Sequence, residues 1–89
     1  MISRANAQYW DCFNALPDDI QRVAKEKYRL WEKDCFHPSL HFKPLKDDLW
    51  SARINQSYRA VGRRKGELIV WVWVGTHAEY DKLMKHTSF

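Results

Sequence analysis

Apolar residues along this chain keep two different periods, and the change falls near residue 36. In the first part they recur at helical spacing. Tyr9, Phe13 and Leu16 stand at i, i+4 and i+7 with Trp10 alongside, which predicts a helix over 4–15 with Ser3 as its cap. Pro17 suits the first position of a second helix, and Asp18 and Asp19 suit its positive end. Ile20, Val23, Ala24, Tyr28, Trp31 and Cys35 mark the buried face of that helix. Arg22, Lys25, Arg29 and Lys33 lie mostly elsewhere and form a solvated basic face. His37-Pro38 disfavours continuation, so the helix ends near Asp34.

Beyond this point the period becomes two. Leu40 to Lys43 reads as a brief strand closed by Pro44, at an edge or at its own end. Leu49 to Ile54 is a second strand, with Leu49, Ser51 and Arg53 on one face and Trp50, Ala52 and Ile54 on the other. Tyr58 to Gly62 is a third, followed by a hairpin turn over Arg63 to Gly66 in which Gly66 takes the positive φ. Leu68 to Val74 is the most hydrophobic strand. Leu68, Val70, Val72 and Val74 are expected on one face, and Ile69, Trp71 and Trp73 on the other. Both faces are apolar, as for a central strand covered on both sides. Thr76-His77-Ala78-Glu79 then matches a capping box. It opens a third helix with Tyr80, Leu83 and Met84 on one face, fraying toward Phe89.

These elements predict an α+β fold. An N-terminal helical hairpin packs on a three- to four-stranded antiparallel sheet, followed by a short C-terminal helix, in one domain over 1–89. The third helix is too short to hide the whole second face of Leu68–Val74, so a partner is expected over the remainder.

Composition changes this picture little. Among 89 residues 45% are apolar and thirteen are aromatic (five Trp, four Tyr, four Phe), enough for a thin core. The net charge of +4 favours an anionic partner, or serves solubility alone. The N-terminal stretch has no apolar run of signal-peptide length. The longest apolar run, Leu68 to Val74, is far short of the roughly 20 residues that span a bilayer. No membrane partner is expected, and the cytoplasm is the expected location. Cys12 and Cys35 stand about 6 Å and about 27 Å from the turn of the helical hairpin, so no bridge is expected.

Some residues point to chemistry. Arg53 and Arg59 flank one turn and fall on neighbouring strands; Lys43, Lys46, Arg63 and Arg64 are near in sequence. Two guanidinium forks near one phosphate can stabilise a developing dianion. Each is also an ordinary charge on a polar sheet face. His77 begins the third helix, where a neutral imidazole can serve as general base and its conjugate acid as general acid. Tyr80 lies about one turn further on the same side and can stack on a base or donate a hydrogen bond. Cys35, His37 and His41 form C-x-H-x3-H, but Pro38 interrupts them, so no metal site is expected. No phosphate-cradling glycine loop, G-x-S-x-G elbow or paired-carboxylate site is present, and no cofactor is implied.

Several stretches together resemble the RelE/ParE superfamily of toxins from type II toxin–antitoxin pairs. They are Leu16-Pro17-Asp18-Asp19-Ile20-Gln21, His37-Pro38-Ser39-Leu40-His41-Phe42-Lys43, Trp50-Ser51-Ala52-Arg53-Ile54, Tyr58-Arg59-Ala60, and Val74-Gly75-Thr76-His77-Ala78-Glu79-Tyr80-Asp81. The likeness runs from about Trp10 to Leu83. It implies a small toxin held inactive by a cognate antitoxin that covers apolar surface. RelE-like members cut mRNA on the ribosome by attack of a ribose 2′-hydroxyl on the adjacent phosphate, which needs no metal. On that resemblance Arg59 would stabilise the phosphate, His77 would be general base or acid, and Tyr80 would orient the base or the 2′-hydroxyl. Lys43, Lys46, Arg53 and Arg63 would position RNA. ParE-like members instead poison DNA gyrase, and a non-catalytic relative would keep only the antitoxin surface. Family members usually begin with a strand. Here only residues 1–3 precede the expected helix, so the sheet edge is expected to stand open or to accept an antitoxin strand.

Overall fold

In the computed structural model, which describes residues 1–86, the first helix starts at Asn6 and not at Ser3. The Asn6 side chain accepts the Tyr9 amide at 2.9 Å, and its own amide donates to the Trp71 carbonyl at 3.1 Å. The cap thus falls three residues later than Ser3, and residues 2–5 are released to the sheet. They form β1 (Ile2–Ala5), parallel to β5 (Leu68–Thr76), with Ile2 opposite Leu68 and Ala5 opposite Trp71. The expected open edge is therefore filled by the chain itself, and the sheet is mixed, not purely antiparallel.

Helices α1 (Ala7–Asn14) and α2 (Asp18–Lys33) follow as the expected hairpin. A single 3₁₀ turn at Pro38–Leu40 replaces the start of the expected first strand, because His37 Nδ1 accepts the Ser39 amide and caps it. Only β2 (Lys43–Pro44) remains of that strand. It is joined by β3 (Leu49–Arg53) and β4 (Tyr58–Lys65). The spatial order is β1-β5-β4-β3-β2, five strands where three to four were expected. β4 runs three residues past Gly62, so Arg63, Arg64 and Lys65 are strand residues. The hairpin loop is Gly66-Glu67 alone, with Gly66 at φ 58°. α3 (His77–His86) ends the described chain; the expected fraying toward Phe89 lies outside the described residues.

The strand faces differ from simple alternation at one place. Val61 of β4 pairs with Trp73, but Gly62 pairs with Trp71, so Val72 is an extra residue in β5. This bulge shifts every side chain after it to the other face. Ile69, Trp71 and Val74 enter the core beneath the helical hairpin, with Phe13, Ala24, Trp31, Phe42 and Ile54. Val72 and Trp73 instead join Leu49 and Val61 in a second cluster that includes Leu45, Tyr80 and Leu83. Trp73 and Val74 have thus exchanged the faces that alternation assigns them.

The second cluster also answers the covering problem. Val61 is 0% exposed and Val72 and Trp73 are each 7% exposed without any partner chain. Among the described residues the large exposed apolar ones lie elsewhere: Met1 and Ile2 at the start of the chain, Trp10 and Tyr28 on α1 and α2, and Phe36 after α2.

Two measurements test this packing. A Cβ at Gly62 would stand 2.8 Å from Ile69 Cγ1 and 3.0 Å from Trp71 Cε3. Gly62→Ala is expected to cost about 1–3 kcal/mol, read as a lower urea midpoint with an unchanged slope. Beneath the hairpin, burial and then the neighbouring Tyr28 push the Tyr9 hydroxyl from 10.0 up to about 12. Above pH 10 the unfolded chain gives up this proton before the folded one does. The associated stability is therefore complete below pH 10 and falls as pH rises toward 12, by at most about 2–3 kcal/mol. Tyr9→Phe should remove that alkaline loss in urea melts at about pH 9 and about pH 11.

Candidate active site

The site forms where β5 ends and α3 begins. Thr76 and Glu79 cap the helix reciprocally. The Glu79 amide donates to Thr76 Oγ1 at 3.1 Å, and the Thr76 amide donates to Glu79 Oε1 at 3.1 Å. The His77 amide donates to the Ser57 carbonyl at 2.7 Å, which ties the first turn of α3 to the loop before β4. This fixes where the imidazole stands.

Arg59 meets it from β4. Its Nε donates to His77 Nδ1 at 2.9 Å. An accepting Nδ1 carries no proton, so neutral His77 is the Nε2–H tautomer. Asp81, one turn on, places Oδ2 3.5 Å from that Nε2. The Tyr80 ring stacks on the imidazole at 5.7 Å and 30°, and the Arg59 guanidinium lies 5.5 Å from the same ring. Trp73 supports Tyr80 from below, with centroids 6.5 Å apart. A Cβ at Gly75 would stand 2.6 Å from Trp73 Cζ2 and 3.2 Å from Glu79 Oε1, so only glycine leaves both the supporting ring and the cap in place.

Arg59 Nη1 is buried and, among the described residues, has no hydrogen-bond partner. A guanidinium NH left unpaired in a buried position costs free energy that an anionic oxygen can recover. The arrangement is thus a guanidinium donor, a titratable imidazole and an aromatic face, all within one turn of each other. It can hold a phosphate, move a proton and stack a base.

Of the residues expected from sequence, Arg59, His77 and Tyr80 converge. Arg53 stands directly across from Arg59 in the β3–β4 register and shares its face. Lys43 is exposed on β2 opposite Ser51, one rung further along the same face. Lys46 lies half-buried in the turn before β3. Arg63 does not join them. It is four residues from Arg59 along β4, about 13 Å away, and pairs with Asp48 at 2.7 Å. The residues of C-x-H-x3-H diverge: His37 turns to Ser39 Oγ at 2.9 Å, and His41 turns to Arg53 Nη1 at 3.5 Å.

Asp81, Trp73 and the Ser57 carbonyl were not foreseen. The i, i+4 spacing of His77 and Asp81 was a readable signal for the first. Trp73 was hidden by the bulge, and a backbone carbonyl leaves no mark in a sequence.

The profile of the ParE-like toxin domain matches residues 18–82, from the start of α2 into α3. No curated protein sequence gives a significant match. Among solved structures, YafQ from E. coli strain BL21(DE3) is similar with a TM-score of 0.71 at 12% identity, over 88% of this chain and 94% of that one. The RelB–RelE antitoxin–toxin complex from Methanococcus jannaschii gives 0.71 at 16%, over 89% and 96%. The YoeB/ParE toxin from Agrobacterium tumefaciens gives 0.67 at 20%, over 86% and 99%. These likenesses establish the fold, and the profile match covers most of the chain. The chain belongs to the ParE-like toxin domain family, within the RelE/ParE superfamily of toxins of toxin–antitoxin systems.

Proposed function

We propose that this toxin is a ribosome-dependent mRNA endonuclease acting in the cytoplasm without a metal cofactor. The observation that carries this reading is the Arg59 guanidinium, which touches His77, faces Tyr80 and keeps Nη1 buried and unpaired. In the reaction a ribose 2′-oxygen attacks the adjacent phosphorus and displaces the 5′-oxygen. The products are a 2′,3′-cyclic phosphate and a 5′-hydroxyl. Arg59 stabilises the extra negative charge of the five-coordinate phosphorus. His77 exchanges a proton with the reacting oxygens. Tyr80 stacks on a neighbouring base. Arg53 and Lys43 hold the flanking phosphates, and Lys46 contributes at longer range; Arg63, held by Asp48, stays apart.

A cognate antitoxin is the second partner in this reading. A groove of about 430 Å³ between β1, α1 and α2 is lined by Ala5, Tyr9, Trp10, Phe13, Tyr28 and Trp71. Trp10 and Tyr28 at its rim are exposed, and an antitoxin segment laid there would cover them. The Methanococcus jannaschii relative is an antitoxin–toxin complex. No helix of the described residues is long and apolar enough to cross a membrane.

The ParE-like description of the matched family favours a second reading, poisoning of DNA gyrase by binding. It predicts lost supercoiling with intact messages and no requirement for His77. A non-catalytic relative would bind antitoxin and cause no growth arrest on expression.

Cleavage of a translated message in a cell-free system separates these readings. Arg59→Ala and His77→Ala are each expected to slow cutting by about 10²- to 10³-fold. Undiminished cutting by the double variant would remove both residues from the reaction. A spectroscopic check needs no substrate. Imidazole ¹⁵N shifts should report His77 as the Nε2–H tautomer when neutral, and Arg59→Ala should turn that into a mixture of tautomers.

A further inference from the structure

The register of the sheet builds a second arginine–histidine pair beside the first. Lys43 stands opposite Ser51, and Arg53 stands opposite Arg59. Continuing the β2–β3 register two residues back from Lys43 brings His41 opposite Arg53. The contact is made: Arg53 Nη1 lies 3.5 Å from His41 Nε2. Across the sheet the row therefore runs His41, Arg53, Arg59, His77. Each imidazole meets its own guanidinium, and the two arginines lie between them.

The chain holds His41 there deliberately in the structural sense. Leu40 and Phe42, on either side of it, are both buried in the core under the helical hairpin, and they fix the backbone at both ends. His41 itself has φ 45°, a left-handed conformation that side-chain-bearing residues seldom adopt. That conformation ends the 3₁₀ turn, where the His41 amide donates to the Pro38 carbonyl at 3.3 Å, and the side chain is left exposed. The same backbone sets the imidazole against Arg53.

We propose that His41 is the general acid of the phosphodiester cleavage, acting opposite His77 as general base; this rests on the endonuclease reading above. In-line displacement places the attacking 2′-oxygen and the leaving 5′-oxygen on opposite sides of phosphorus. One group that removes a proton and one that supplies a proton must therefore approach from opposite sides. A phosphate seated on Arg53 and Arg59 has an imidazole at each end of the row. When the guanidiniums turn to the phosphate oxygens they release His77 Nδ1 and His41 Nε2. His77 takes the 2′-hydroxyl proton as the 2′-oxygen–phosphorus bond forms, and Asp81 stabilises the imidazolium that results. Protonated His41 gives its proton to the 5′-oxygen as the phosphorus–5′-oxygen bond breaks. The products are the cyclic phosphate and the 5′-hydroxyl, with one proton moved from base side to acid side.

The test uses the full-length protein on programmed ribosomes and two messages. One carries the ordinary linkage at the mapped cleavage position. The other carries a single 5′-bridging phosphorothiolate there, whose thiolate leaves without a proton. His41→Asn is the variant of choice, because asparagine accepts positive φ and can still accept a hydrogen bond from Arg53. It should cut the ordinary linkage at least about 10²-fold more slowly in kcat with KM unchanged. It should cut the phosphorothiolate near the parent's rate. His77→Ala should stay slow on both. The assignment is overturned if His41→Asn matches the parent on the ordinary linkage, if it is equally slow on both linkages, or if His77→Ala is the variant rescued. A parent protein that cuts neither message brings down the endonuclease reading itself, and the proposal with it.

Discussion

One inserted residue sets the geometry of the whole site. Val72 has no partner across β4, and that single extra position reverses the facing of everything that follows it in β5. Without it, Trp73 would enter the core beneath the helical hairpin, and Val74 would take its place on the opposite face. With it, Trp73 lies under Tyr80, Gly75 stands beside Arg59, and α3 begins on the face that carries the arginines. A side-chain period of two allows no intermediate solution: one residue more or less changes the face completely. The bulge is thus the step that joins a packing strand to a site.

The electrostatic design follows from what each arginine meets. Arg63 meets a carboxylate, Asp48, and that pair is satisfied within the sheet. Arg64 lies over the Trp50 ring, 4.6 Å from its centroid. Arg53 and Arg59 meet imidazoles instead. A neutral imidazole orients a guanidinium without cancelling its charge. The rung that holds both arginines therefore keeps its positive potential for an anion, whereas the charge of Arg63 is met by Asp48.

Much of this was legible in the sequence, and the failures have physical causes. The helical hairpin, the alternation of β3 and the capping box at Thr76 follow from local chemistry, and local chemistry is what a sequence displays. Arg59, His77 and Tyr80 could be grouped because a strand end and a helix start constrain their directions. β1 was missed because four residues carry too little pattern, and because its parallel partner lies far along the chain. The bulge at Val72 was invisible because it is a property of two strands and not of one. Spacing along the chain relates His41 only to Cys35 and His37, as C-x-H-x3-H. Its actual partner, Arg53, is set by sheet register, which spacing along the chain does not encode.

The pairing of β1 carries a consequence in time. Ile2 pairs with Leu68, sixty-six positions further along the chain. Contacts of such separation form late, since the intervening chain must first be ordered enough to close the loop. The groove wall made by β1 and the helix start bearing His77 both depend on β5, so they mature together near the end of folding. A chain that has not yet placed β5 has neither the Arg59–His77 contact nor the finished groove. Two surfaces on different sides of the fold are thus completed by one strand, and whatever unseats β5 removes both.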